Sequence, residues 1–149
     1  MRISTKSQYG LRAMVYLAKV FKKDKVFPLR EIAKKEDISF DYLEKIISKL
    51  EKAGLVKSKK GVQGGYSLAR PPQKIKLAQV MRTLEGEMVL VKCLAKMKNS
   101  VCPKEKKCLA KNFWKKIQNS LESTLDSMTL ADLINPEGVA IGRPYGARK

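Results

Sequence analysis

The sequence predicts a mainly α fold carrying one small β-hairpin, and three observations predict it. Apolar residues recur at helical spacing in three successive segments of the N-terminal half. A glycine stop at Gly54 is followed by an alternating run, a glycine-bearing turn and a second alternating run. Beyond residue 108, one apolar stripe continues for about five helical turns.

The elements follow in order. Ile3, Leu11, Met14, Val15, Leu17, Ala18 and Phe21 place a helix from about Ser7 onward, and Phe27-Pro28 interrupts it. In "LREIAKKEDI", Leu29, Ile32 and Ala33 share one face of a short helix. Ser39 is the N-cap of the next helix, with Asp41 in its first turn and Tyr42, Leu43, Ile46, Ile47 and Leu50 inward. Gly54 supplies its C-terminal stop. A short helix, a tight turn and a second helix opening on polar residues is helix-turn-helix spacing, a spacing that plain helical hairpins share.

"LVKSKKGVQGGYSLA" then reads as a hairpin with Gly61, Gly64 and Gly65 near its tip and Lys57, Lys59 and Lys60 on or beside it. A basic hairpin directly after a helix-turn-helix is a wing, whose glycines let backbone approach phosphates and whose lysines neutralise them. Pro71 and Pro72 end this unit. "LAQVMRTLEG" packs a further helix back through Leu77, Val80, Met81 and Leu84, and Gly86 stops it. Ala110, Phe113, Trp114, Ile117, Leu121, Leu125 and Met128 form the long stripe. Such a helix on a small domain needs a partner surface, either a second copy in a two-fold dimer or its own core. Thr129 caps a brief helix, "LADLI". The predicted division is a winged helix-turn-helix domain over 1–75, then a linker helix, cysteine loop and long helix over 76–135. A tail over 136–149 is expected to be disordered.

The 149 residues carry 32 Lys and Arg against 14 acids, a formal net charge of +18. That excess points to a polyanion, with double-stranded DNA first, and a lysine-rich surface of mutually paired charges is the alternative. No run reaches the ~18 apolar residues of a membrane span, and no secretory signal is visible. A cytoplasmic protein that does not engage membranes is expected. With no histidine in the chain, a Cys-His nucleophile pair is impossible. No P-loop or dinucleotide fingerprint occurs either, so an enzyme is not expected.

All three cysteines fall within "CLAKMKNSVCPKEKKC": Cys93, Cys102 and Cys108. Thiolate sulfur suits iron-sulfur clusters and zinc, but zinc sites favour a short CxxC pair, which is absent. From Lys92 to Lys116 there are nine lysines and one acid, Glu105. Ammonium groups favour thiolates and offset the charge of a thiolate-ligated cluster. Three ordinary thiols in a basic loop are the other reading of the same residues.

"MRISTKSQYGLRAM", "ISFDYLEKIISKLEKAGLVKSKKG", the "GGYSLARPP" wing and the three-cysteine loop before Trp114 together resemble one bacterial family. It is the IscR/NsrR type of winged-helix transcription regulator, the Rrf2 family, and the similarity runs from Met1 to about Asn135. The resemblance implies a homodimer, made through the helix near Trp114, on a palindromic operator. It implies an iron-sulfur cluster, 2Fe-2S or 4Fe-4S, held by Cys93, Cys102 and Cys108. The histidine that IscR-like members place three residues after the last cysteine is Lys111 here, and the acidic fourth ligand of other members corresponds to Gln8. Lys111, Glu105 and Gln8 are the candidate fourth ligands. Ser39, Phe40, Asp41, Tyr42, Glu44 and Lys45 on the recognition helix, with Lys57, Lys59, Lys60, Gly61, Gly64 and Gly65 on the wing, are the expected DNA contacts. Redox sensing through the cluster is the expected mechanism. The alternative is a regulator of the same fold whose cysteines sense oxidants directly.

Overall fold

The computed structural model describes residues 2–96, 102–135 and 137. The tail expected to be disordered falls outside these residues, apart from position 137.

Helix α1 (Thr5–Lys19) begins two residues earlier than the apolar spacing suggested, because Ser4 caps it, its hydroxyl accepting from the Ser7 amide at 3.2 Å. α2 (Leu29–Glu36) and α3 (Phe40–Lys52) form the helix-turn-helix. Asp37 and Ile38 make the turn between them, with Asp37 left-handed at φ 52°. Ser39 caps α3 by accepting from the Tyr42 amide at 3.4 Å. α3 closes on Gly54 (φ +72°): the Gly54 amide donates to Glu51 O at 2.9 Å and the Leu55 amide to Leu50 O at 3.0 Å. That is the double bond pattern of a left-handed helix stop.

The wing is β1 (Val56–Lys59) paired antiparallel with β2 (Gly65–Leu68), in the register Val56–Leu68, Lys57–Ser67, Ser58–Tyr66 and Lys59–Gly65. Phe27 adds a third rung, exchanging both backbone hydrogen bonds with Tyr66 at 2.9 and 2.8 Å. Because side chains alternate across a strand, Val56 and Leu68 face the core and Lys57 and Ser67 face away.

α4 (Leu77–Glu85) follows a short 3-10 turn at Pro72–Lys74, and Gly86 (φ +83°) ends it. α5 (Lys111–Ser127) and α6 (Leu130–Ile134) are the last helices among the described residues. Met14, Leu17, Ile32, Leu43, Ile46, Ile47, Leu50, Leu55, Leu68, Ile75 and Leu84 are fully buried in one core, and Leu130 of α6 closes it. The end of α5 is stitched to the linker before α4 by Leu77 N to Met128 O at 2.9 Å and Leu130 N to Ile75 O at 3.0 Å. At Gly10, α1 passes so close to α3 and α4 that a Cβ would lie 2.4 Å from Leu84 Cδ1 and 3.1 Å from Ile46 Cγ2.

The long apolar stripe divides. Leu125 and Met128 pack against the core. Phe113, Trp114 and Ile117, about two to four turns earlier, are 57%, 37% and 42% exposed. Among the described residues, only the C-terminal half of α5 packs against the core.

Candidate nucleic-acid interface and cysteine loop

The N-terminal end of α3 presents Ser39, Phe40, Asp41, Glu44 and Lys45 to solvent, all exposed. Tyr42 is half-buried and meets Tyr9 edge-on at 5.9 Å, so part of its ring serves packing. Arg30, from the first turn of α2, lies over the Phe40 ring at 5.2 Å. This stacking fixes a guanidinium beside the start of α3, and the sequence reading did not single it out.

On the wing, Lys57, Lys59, Lys60 and Gly61 are exposed. Val62 at the tip is wholly exposed and was likewise missed. The three wing glycines have different reasons. Gly61 holds φ +118° with nothing near its Cα, so it supplies the turn. A Cβ on Gly64 would lie 2.2 Å from Lys59 O, and one on Gly65 would lie 2.3 Å from Phe27 O. These two are required by the chain's own backbone rather than by an approaching ligand. Tyr66 packs on the core, and its phenol pKa is raised by burial first and then by the fields of Glu51 and Glu44.

Few of the cations are neutralised internally. Among the described residues, ion pairs join Arg12 to Glu36, Arg82 to Asp126 and Lys111 to Glu105. With 32 basic side chains against 14 acids, at least 18 cations have no acid to pair with, and pairing is sparse among the described residues.

The cysteine segment is anchored by side chains the sequence reading overlooked. Gln118 is the one buried residue of α5. Its carbonyl accepts from the Leu90 amide at 3.0 Å, and its amide donates to Met88 O at 2.6 Å and to Glu122 at 2.9 Å. A polar residue on the apolar side of a helix was the available signal. The Lys96 amide donates to Glu87 Oε1 at 2.8 Å, closing the loop that carries Cys93. All three cysteines are free thiols; Cys93 and Cys102 are half-buried and Cys108 is exposed.

Lys111 opens α5 and pairs with Glu105 at 2.6 Å. Its pKa is raised, first by that hydrogen bond, then by the Glu105 charge and by the nearby Cys93 and Cys108, while desolvation opposes. The structure thus brings Cys93, Cys108, Glu105 and Lys111 into one neighbourhood. Among the described residues, no three of His, Cys, Asp and Glu are gathered closely enough to hold a metal ion. The donor set suits an iron-sulfur cluster in kind, with three soft thiols in one segment. Gln8 is exposed, and its amide donates to Ile3 O at 3.0 Å.

Comparison with known proteins now decides the family. The family model Rrf2, described as an iron-dependent transcriptional regulator, matches residues 3–136. The chain belongs to the Rrf2 family. Among relatives, it is 37% identical over 133 residues to the HTH-type transcriptional regulator CymR of Bacillus subtilis, covering 89% of each protein. It is 31% identical over 139 residues to the HTH-type transcriptional regulator IscR of Yersinia pestis, covering 93% of this chain and 82% of that protein. Its fold matches the solved structure of T. potens IscR with a TM-score of 0.72 at 39% identity, over 95% and 94% of the two chains. The winged-helix architecture and the assignment as a DNA-binding transcription regulator rather than an enzyme follow from this Rrf2 membership. Among the described residues, no helix is long and apolar enough to cross a membrane.

Proposed function

We infer that this regulator works in the cytoplasm as a homodimer on a palindromic DNA operator, with affinity set by an iron-sulfur cluster on Cys93, Cys102 and Cys108. The observation that carries the reading is the position of the cysteine loop. Cys93 and Cys108 flank Lys111, the first residue of α5, and the exposed Phe113, Trp114 and Ile117 stand directly after it. A change of state in the loop therefore acts on the helix through which two copies would meet. The dimer sets the separation of the two α3 helices and hence the fit to two half-sites. Ser39, Phe40, Asp41, Tyr42, Glu44 and Lys45 would read the major groove. Lys57, Lys59, Lys60 and Gly61 would hold the adjacent backbone, with Gly64 and Gly65 shaping the hairpin. The bound cluster would supply an oxidant-labile centre of low charge density. Lys111, held on Glu105, contributes positive charge beside the thiols rather than a fourth ligand.

Protein purified without oxygen tests this directly. Iron and sulfide should accompany the wild type and vanish on substitution of any one cysteine by alanine. Loaded and stripped protein should differ at least about tenfold in operator affinity, a difference of ~1.4 kcal/mol. Equal affinities reject the cluster as the regulator.

A second reading has an observation of its own. Cys108 is exposed and, with Cys93, lies near the Lys111 ammonium, where an oxidant can reach it. A CymR is among the relatives. Direct thiol sensing predicts a colourless, iron-free protein whose operator affinity changes on mild peroxide treatment and recovers with thiol reductant.

A further inference from the structure

At the base of the wing, the outer face of β2 contains a buried hydroxyl that the winged-helix architecture does not use. Ser67 points away from the core, opposite Lys57, yet it is only 4% exposed. Its Oγ has no hydrogen-bond partner among the described residues. Leaving a buried hydroxyl unpaired costs about 1–3 kcal/mol, so the position calls for a ligand group. Ser67 lines a notch of about 300 Å³ between the wing and the turn that follows α1.

The walls of that notch are cationic. Lys22, Lys23, Lys57 and Arg70 surround it, with Asp24 as its one acid. None of the four cations makes an ion pair among the described residues. Arg70 donates to Lys74 O, Gly54 O and Gln79 Oε1, all neutral acceptors, so its guanidinium is held in place with its charge uncompensated. Phe21 provides an apolar wall. The turn is a defined structure, closed by the Lys25 amide on Lys22 O at 3.2 Å with Asp24 left-handed at φ 64°.

We propose that this notch binds a small organic phosphate, with the phosphate accepting from the Ser67 hydroxyl among Lys22, Lys23 and Arg70 and the carbon body resting on Phe21. The alternative source of the same chemistry, a phosphate of the DNA backbone, fits less well. The hairpin tip carries the Lys59–Gly65 pair, and the notch sits at the opposite end by Leu68 and Arg70. Three residue steps, about 10 Å, separate the two ends. The ligand would contact the turn leading to Phe27, whose two hydrogen bonds to Tyr66 join that turn to the wing.

The test titrates the full chain with inorganic phosphate and with phenyl phosphate at constant ionic strength, reading backbone amide shifts. Saturable shifts confined to Lys23, Ser67 and Ala69 are expected, with phenyl phosphate binding more tightly because of Phe21. Ser67→Ala should weaken binding roughly tenfold, the effect of losing one hydrogen bond to a charged group. Lys23→Gln should weaken it several-fold, and it serves as a second variant should the serine change disturb the hairpin. Shifts spread over lysines generally and reproduced by chloride overturn the proposal, as does unchanged affinity in both variants. Operator DNA added alone should leave these amides in place. If it shifts them and displaces phenyl phosphate, the notch belongs to the DNA interface and the free-ligand assignment is wrong.

Discussion

Glu85 sits at the C-terminal end of α4 and receives the Ser4 amide at 2.7 Å, across the N-terminus of α1. Its pKa is lowered from 4.5, first by the Ser7 hydroxyl and then by the Ser4 amide. A lowered folded-state pKa gives stability that is present above the unfolded value and lost as pH falls through the folded one. Urea unfolding should therefore show stability declining below about pH 4.5, and Glu85→Gln should remove that part of the decline. The variant itself should be less stable at pH 7, because the helix N-terminus loses its anion. Gly54 provides a second test at this scale. It holds φ +72° with open space around it, so Gly54→Ala meets backbone strain without a clash. A loss of roughly 1–2 kcal/mol in urea unfolding is expected, with operator affinity unchanged in the folded protein.

Gln118 links α5 to the segment that leads into the cysteine loop. Gln118→Leu keeps the volume but orphans the Leu90 amide and Met88 carbonyl. A cost of about 1–3 kcal/mol follows from two unpaired backbone groups. Hydrogen exchange at Leu90 should accelerate, while the amides of α3 keep their protection. The wing depends in the same way on Gly65. A Cβ there strikes the Phe27 carbonyl, so Gly65→Ala should part the Phe27–Tyr66 rung at a cost of ~1–3 kcal/mol. Operator affinity should then fall with every wing lysine intact. An unchanged melting curve for Gly65→Ala would contradict the close approach of these two strands.

At the level of the whole molecule, charge and association are the measurable quantities. With only three ion pairs among the described residues, the excess positive charge stays available to phosphates. Operator binding should weaken steeply with salt, and Lys59→Ala and Lys60→Ala should each reduce the log-log slope of the dimer by about 2, one phosphate contact per protomer. The exposed Phe113, Trp114 and Ile117 make the corresponding prediction for association. Trp114→Asp should shift sedimentation from dimer to monomer and weaken operator binding at least tenfold, because one half-site is then bound at a time. The monomer should keep its helical circular dichroism, while its melting temperature loses its dependence on protein concentration.

Local patterns made much of this molecule legible. The Ser39 cap, the Gly54 and Gly86 stops, the hairpin and the inward faces of α3 and α4 all follow from interactions within a few residues, where backbone geometry and side-chain period decide. The family likeness carried the expected DNA contacts and the proposed cysteine ligands in the same way, as spacings along the chain. The rest concerns surfaces that meet across long sequence separations. Gly64 and Gly65 read as ligand-facing until Lys59 and Phe27 were seen against them. The single stripe on α5 gave no sign that only Leu125 and Met128 would reach the core, while Phe113 to Ile117 would stay open. Gln118 on Met88 and Leu90, and Ser67 left without a partner, likewise depend on which distant backbone arrives beside them. Periodicity names the face of an element, but burial and hydrogen-bond satisfaction belong to pairs of elements, and only the packed chain decides them.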